Sequence, residues 1–219
     1  MWSQESHVER AYSLVSSPCE GELEVFVELV PGGELTPLLH ELLVGSEVTL
    51  RKTAKGYFTL DLKSGHKNHL LLCTVTGVAP YVTYARTLYK DWKEDHFPED
   101  LHLYLVNGAS RSWEFGYRDE LEGIAAEVPW FSFVPTINRP WEDAVWKGEI
   151  GRVEDVLRKC TDQWGLTGAD TTAYLCGHPH MVELSMGILK RQGFSKLSMK
   201  KDVYAFSETA LGKSGPAGS

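Results

Sequence analysis

The sequence is short of cysteine, short of positive charge and without any long apolar run, and each shortage closes off a class of protein. Only four cysteines occur in 219 residues, and Cys19, Cys73, Cys160 and Cys176 stand far apart. That spacing excludes zinc-ribbon pairs and fused iron–sulfur motifs. It reads as four isolated thiols in a reducing cytoplasm. Twenty-two Lys and Arg against 30 Asp and Glu give a net charge of -8. An acidic surface of this kind disfavours general nucleic-acid binding, while leaving room for a local basic pocket. The longest apolar run, residues 69–73, is far too short to span a bilayer. Met1-Trp2-Ser3-Gln4-Glu5 has neither the basic start nor the apolar core of a secretory signal. No activated nucleophile or paired acid and base stands at a credible site, which argues against a hydrolase or transferase.

What is present divides near residue 66. Residues 10–62 read as β-rich. Leu23 to Val30 begins by alternating apolar and acidic side chains, and Pro31-Gly32-Gly33 ends it with turn chemistry. Residues 45–50 and 56–60 suggest further short strands, the pattern of a barrel or sandwich. Beyond residue 66, strand and helix alternate four times. Strands are expected at 70–75, 101–106, 131–137 and 172–176, and helices at 80–90, 120–128, 151–160 and 179–192. A last strand is expected at Tyr204-Ala205-Phe206. This order predicts an open parallel sheet with helices on both faces, whose ligands bind beyond the carboxyl ends of the strands. The tail 209–219 is small and polar, as a flexible end would be. The expected division is therefore 1–65, 66–208 and 209–219.

Four constellations carry chemistry. Arg10-Ala11-Tyr12-Ser13 offers a guanidinium fork for phosphate, a flat aromatic face and a hydroxyl. It also fits an edge strand with a solvated arginine. Thr74-Val75-Thr76-Gly77-Val78-Ala79-Pro80 runs from a strand through a glycine turn into a helix N-terminus, where unpaired N–H groups and the helix dipole suit a pyrophosphate. Cys176-Gly177-His178-Pro179 ends the fourth strand, with a glycine that permits close backbone approach of a ligand and a thiol at the switch-point crevice; it also fits a small buried residue before a helix. Arg111, Arg139 and Arg152 stand at strand ends, where arginine can hold an adenosine 2′-phosphate.

Together these strings resemble the ferredoxin/flavodoxin–NADP reductase family, especially its bacterial branch. RAYS at 10–13, LVPGGELTPLL at 29–39, KGYFTL at 55–60, TVTGVAPY at 74–81, GASRSWEFGYRDEL at 108–121, NRPWED at 138–143 and CGHPHMVE at 176–183 follow the family in order. The resemblance implies a partial antiparallel flavin-binding β-barrel followed by a Rossmann-like parallel sheet, and an enzyme using FAD and NADP(H). It implies that Arg10 binds the FAD pyrophosphate, Tyr12 stacks on the flavin ring and Ser13 lies near its N5 atom. Gly33 and Thr36 would form a second flavin-phosphate loop. Thr74, Thr76, Gly77 and Pro80 would hold the NADP pyrophosphate, with Arg139 and Arg152 on the adenosine phosphate. Cys176 and Gly177 would flank the nicotinamide, so that Ser13 and Cys176 are the catalytic, positioning pair. The implied partner is a ferredoxin or flavodoxin. A reductase component of an oxygenase system is the neighbouring reading, and a relative that binds nucleotide or a protein without catalysis is the distant one.

Four positions depart from the family pattern. Only nine residues precede Arg10, where family members carry further strands, so an N-terminally truncated chain is expected. Val75 stands where the family has glycine, and a β-branched residue dislikes positive φ. Ser110 takes the place of the usual arginine, with Arg111 beside it as the substitute. The family's terminal aromatic flavin cover is replaced by a polar tail, leaving Tyr204 and Phe206 as candidates.

Overall fold

The computed structural model describes residues 8–203, so the strand expected at 204–206, Tyr204 and Phe206 as flavin cover, and the tail at 209–219 lie outside the described residues. Two compact units are present. One comprises residues 8–12 and 27–55, and the other residues 13–26 and 56–203.

The smaller unit contains one short helix, α1 (Thr36–His40), entered through Pro37. Above it the Val30 to Thr36 loop closes on itself. The Thr36 Oγ1 accepts the Val30 N–H at 3.0 Å, and the Gly33 N–H donates to the Val30 carbonyl at 2.9 Å.

The larger unit is built on a six-stranded parallel sheet in the order β4-β3-β2-β1-β5-β6. Its strands are β1 (Asn68–Thr74), β2 (His102–Ala109), β3 (Phe131–Ile137), β4 (Glu149–Ile150), β5 (Thr171–Gly177) and β6 (Met199–Val203). Its helices are α2 (Ala79–Lys93), α3 (Arg118–Glu127), α4 (Val153–Trp164) and α5 (Pro179–Arg191). The unbroken apolar run of β1 follows from burial on both faces. Leu71 and Cys73 pack with Tyr81, Val82 and Ala85 of α2, and Leu70 and Leu72 pack with Leu157 of α4 and Leu189 of α5. The helices match this with apolar stripes. Val153, Val156, Leu157, Cys160 and Thr161 recur at helical spacing on α4, which ends at Gly165 in the left-handed region (φ 66°). No helix among the described residues is long and apolar enough to cross a membrane.

The sheet bears out the expected Rossmann-like half, and among the described residues it ends at β6, a strand that was not expected. The two-residue β4 was not expected, being too short to leave a periodic signal. The barrel half differs. Among the described residues, 8–62 form one antiparallel bridge, Leu14 to Val25, reinforced by the Val15 N–H on the Glu24 carbonyl at 2.8 Å. No ladder forms at 45–50 or 56–60, and Val44, Val48, Leu50 and Tyr57 are exposed. A strand's hydrogen bonds are all made to a neighbour, so alternation in sequence marks a face without supplying the sheet that covers it.

The bridged segment 13–26 is fastened to the helices. Arg86 of α2 lies 2.6 Å from Glu24, 3.3 Å from Glu20 and 2.7 Å from Glu120 of α3, with its guanidinium 5.4 Å from the Tyr117 ring. Tyr117 in turn donates its hydroxyl proton to Glu24 at 2.7 Å. Thr83 and Thr87 add hydrogen bonds to the Leu14 carbonyl and the Ser17 hydroxyl.

His69 on β1 is fully buried, with its Nδ1 3.2 Å from the Tyr174 hydroxyl. Burial, followed by the nearby charge of His66, pulls its pKa down to about 4. The unfolded chain takes up this proton near its ordinary value, about 6.5, before the folded one does, so stability falls as pH drops from 6.5 towards 4. Urea unfolding of the wild type should lose about 2 kcal/mol between pH 7.5 and pH 5 through this group. His69→Gln should show a correspondingly flatter pH dependence, and equal slopes for the two proteins would refute the assignment.

Candidate nucleotide-binding site

The sheet order reverses direction at β1, since β2 follows on one side and β5 on the other. Loops at such a switch point diverge and leave a crevice beyond the strand ends. Here those loops are 75–78, a 3₁₀ turn leading into α2, and His178, the N-cap of α5. Both helices carry a proline in the first turn, Pro80 and Pro179, where the missing N–H has no use.

The two strand ends interlock through glycine. A Cβ on Gly77 would sit 2.5 Å from the Cys176 carbonyl oxygen. A Cβ on Gly177, whose φ is 123°, would sit 2.5 Å from Thr74 Oγ1. The same Thr74 oxygen accepts the His178 backbone N–H at 3.1 Å. His178 then turns its Nδ1 to the His180 N–H at 3.2 Å, which caps α5. Thr74, Thr76, Gly77 and Pro80, expected at one site, are thus brought together with Cys176 and Gly177. Val75 adopts φ 40°, the conformation that its position demands and that a β-branched residue resists.

Cys176 is fully buried and stands in register with Cys73 on β1, which in turn is in register with Asn107 on β2. Burial drives the Cys73 thiol well above its ordinary pKa, with Cys176 adding to the effect. Asn107 is the functional candidate that sequence reading missed. It is fully buried at the carboxyl end of β2, and neither amide atom has a protein partner. Its only signal was a polar residue breaking the run Leu103 to Val106.

The arginines lie further along the same edge. Arg111, after β2, directs Nη1 to Glu114 at 2.8 Å and Nε to Glu142 at 2.7 Å. Arg139, after β3, lies 3.6 Å from the same Glu142. The hydrogen bond from Arg111 holds the Glu142 carboxyl below its ordinary pKa. Arg152 is exposed at the N-cap of α4. The flavin candidates belong to other segments. Arg10 pairs with Glu34 at 2.6 Å, and burial raises the pKa of Tyr12, offset in part by Arg10. Gly33 and Thr36 form the closed loop before α1, whereas Ser13 is half-buried in the larger unit.

The comparisons agree with this geometry. Residues 71–186 match the oxidoreductase NAD-binding domain family. The chain is 30% identical over 184 residues to the flavodoxin/ferredoxin–NADP reductase of Shigella flexneri, covering 80% of this chain and 69% of that protein. It is 27% identical over 199 residues to the toluate 1,2-dioxygenase electron transfer component of Pseudomonas putida, covering 90% of this chain and 54% of that one. A ferredoxin NADP+ reductase structure from Neisseria gonorrhoeae superposes with a TM-score of 0.74 at 24% identity, covering 89% of this chain and 79% of that chain. With an NAD-binding half of this length and a glycine-locked switch point, the chain belongs to the ferredoxin/flavodoxin–NADP reductase family. It spans about half the length of several curated relatives it matches.

The strain at Val75 is open to measurement. A non-glycine residue in this region costs about 1–3 kcal/mol, against about 0.5–1 kcal/mol of added flexibility for glycine. Val75→Gly should therefore stabilise the protein by about 1 kcal/mol in urea unfolding. Gly77→Ala should destabilise it, because the methyl group meets backbone rather than a movable side chain. A destabilised Val75→Gly would show that the loop is relaxed as it stands.

Proposed function

We propose that the chain is the nucleotide-handling part of an FAD-dependent reductase that moves a hydride between NADP(H) and flavin and passes single electrons to or from a ferredoxin or flavodoxin. The observation that carries this reading is the glycine interlock at the switch point, where two positions admit no side chain and the loops after β1 and β5 meet beside the start of α2, the region of an open α/β sheet that suits a pyrophosphate. In this reading residues 66–208 bind the nicotinamide nucleotide and residues 1–65 contribute to a flavin-binding barrel.

Thr74, Thr76, Gly77 and Pro80 would hold the pyrophosphate at the start of α2. Arg111, Arg139 and Arg152 would face the adenosine phosphate. Arg10, Tyr12, Ser13, Gly33 and Thr36 would hold FAD. Nicotinamide and flavin, when bound, supply the hydride and single-electron chemistry. The protein's own part is orientation and exclusion of water. Gly177 leaves the β5 end bare for a close approach, and the buried row Asn107, Cys73 and Cys176 backs it with small polar groups. Ser13 and Cys176 act as positioning residues. Four free thiols suit a reducing cytoplasm. Likeness to the toluate 1,2-dioxygenase electron transfer component and the phenol 2-monooxygenase reductase component supports a second acceptor class, an oxygenase system.

The test is an absorbance spectrum of the purified chain with FAD, freed of excess flavin, followed by anaerobic NADPH. A retained flavin band that bleaches is expected. Gly177→Ala should retain the band and bleach at least tenfold more slowly, because its methyl group collides with Thr74. A chain that retains no flavin would overturn flavin chemistry for the chain as it stands, leaving a fragment or a relative that binds nucleotide without catalysis.

A further inference from the structure

The loop after β2 is built to hold anions, and it already holds the protein's own. The Ser110 N–H donates to Glu114 and the Ser112 N–H to Asp143, each at 2.8 Å. The guanidinium between them is spent as well, with Nη1 on Glu114 and both Nε and Nη2 on Glu142. Arg139 reaches Glu142 from the neighbouring strand end. Two guanidinium groups, Arg111 and Arg139, therefore bear on Glu142, while Arg118 adds its charge near Asp143.

The three acids are not equally held. Glu114 and Asp143 each accept a backbone N–H, and Asp143 is buried. Glu142 ends a short 3₁₀ turn, Pro140–Glu142, is about a third exposed, and is held at its carboxylate by side chains, the two arginines and Trp141. With no backbone N–H among the described residues fixing it, it is the carboxylate that a side-chain rotation can release. Trp113 lies beside the cluster with its ring 5.7 Å from the Arg111 guanidinium, and is 65% exposed, a flat face suited to an adenine.

We propose that Glu142 is an internal competitor for the adenosine 2′-phosphate: a nucleotide bearing that phosphate binds by displacing Glu142 from Arg111 and Arg139, whereas one with a free 2′-hydroxyl binds with Glu142 in place and donates to it. Glu142 is thus the residue that sets the balance between the phosphorylated and unphosphorylated nicotinamide nucleotides. A carboxylate accepts from a ribose hydroxyl and repels a phosphate, while a guanidinium does the reverse. Here both occupy one site, and the acid holds the base. The proposal rests on the nucleotide-site reading above.

Titration of the full chain with 2′-phosphoadenosine 5′-phosphate and with 5′-AMP, followed by tryptophan fluorescence and calorimetry, separates the two ideas. Glu142→Gln and Glu142→Ala should each raise the affinity ratio in favour of the 2′-phosphorylated nucleotide by about fivefold, the upper worth of one partly exposed charge pair. Glu142→Asp should keep the wild-type ratio within about threefold. Binding of both nucleotides with a ratio that Gln and Ala leave unchanged would overturn the role of Glu142 and spare the site. Failure of every protein, wild type included, to bind either nucleotide would overturn the site itself, and the role of Glu142 with it.

Discussion

The carboxyl ends of β1 and β5 touch backbone to backbone, and the rest of the candidate site depends on that contact. Gly77 lies against the Cys176 carbonyl, and Gly177 lies against Thr74. No side chain fits at either place. The consequence is mechanical. Two strands packed this closely bring the starts of α2 and α5 to the same edge, on opposite faces of the sheet. The Thr74 hydroxyl, accepting the His178 N–H, ties the second loop to the first strand. Val75 bears the cost, held at positive φ so that the chain can leave β1 and enter the turn.

A second lock fixes the segment that precedes the sheet. Residues 13–26 are anchored by Val15 in the core and by Arg86, which gathers Glu20, Glu24 and Glu120 around one charge. Three carboxylates and a desolvated guanidinium hold one another in place, and removing the arginine would leave the acids facing each other. Desolvation costs make such a network a poor source of raw stability but a good source of position. Its effect here is to set Ser13 and Leu14 along α2, which places one of the proposed flavin-facing residues on the nucleotide-binding unit.

The sheet was legible because each of its longer strands must satisfy two covered faces, and only apolar runs such as Leu70-Leu71-Leu72-Cys73 do so. Helix starts were legible from Pro80 and Pro179. The two residues of β4 left no pattern, and the alternation at 23–30 named a face without naming its partner. In the site, Thr74, Gly77 and Gly177 were legible because the topological rule joins strand ends that lie 100 residues apart in sequence. The acids opposite the arginines were not. Glu142 meets Arg111 across 31 positions and Glu34 meets Arg10 across 24, and single-sequence reading sees only that each arginine could bind phosphate. Asn107 was missed because one polar residue in a strand end is indistinguishable from a solvated one until the layers close over it.

Amide hydrogen exchange with and without NADP+ tests whether the switch-point loops form the proposed nucleotide cradle. Slowed exchange is expected at residues 74–81 and 177–181 on addition of the nucleotide, with the remainder of β1 and β5 already protected in its absence. Protection elsewhere, with those two loops unchanged, would contradict it.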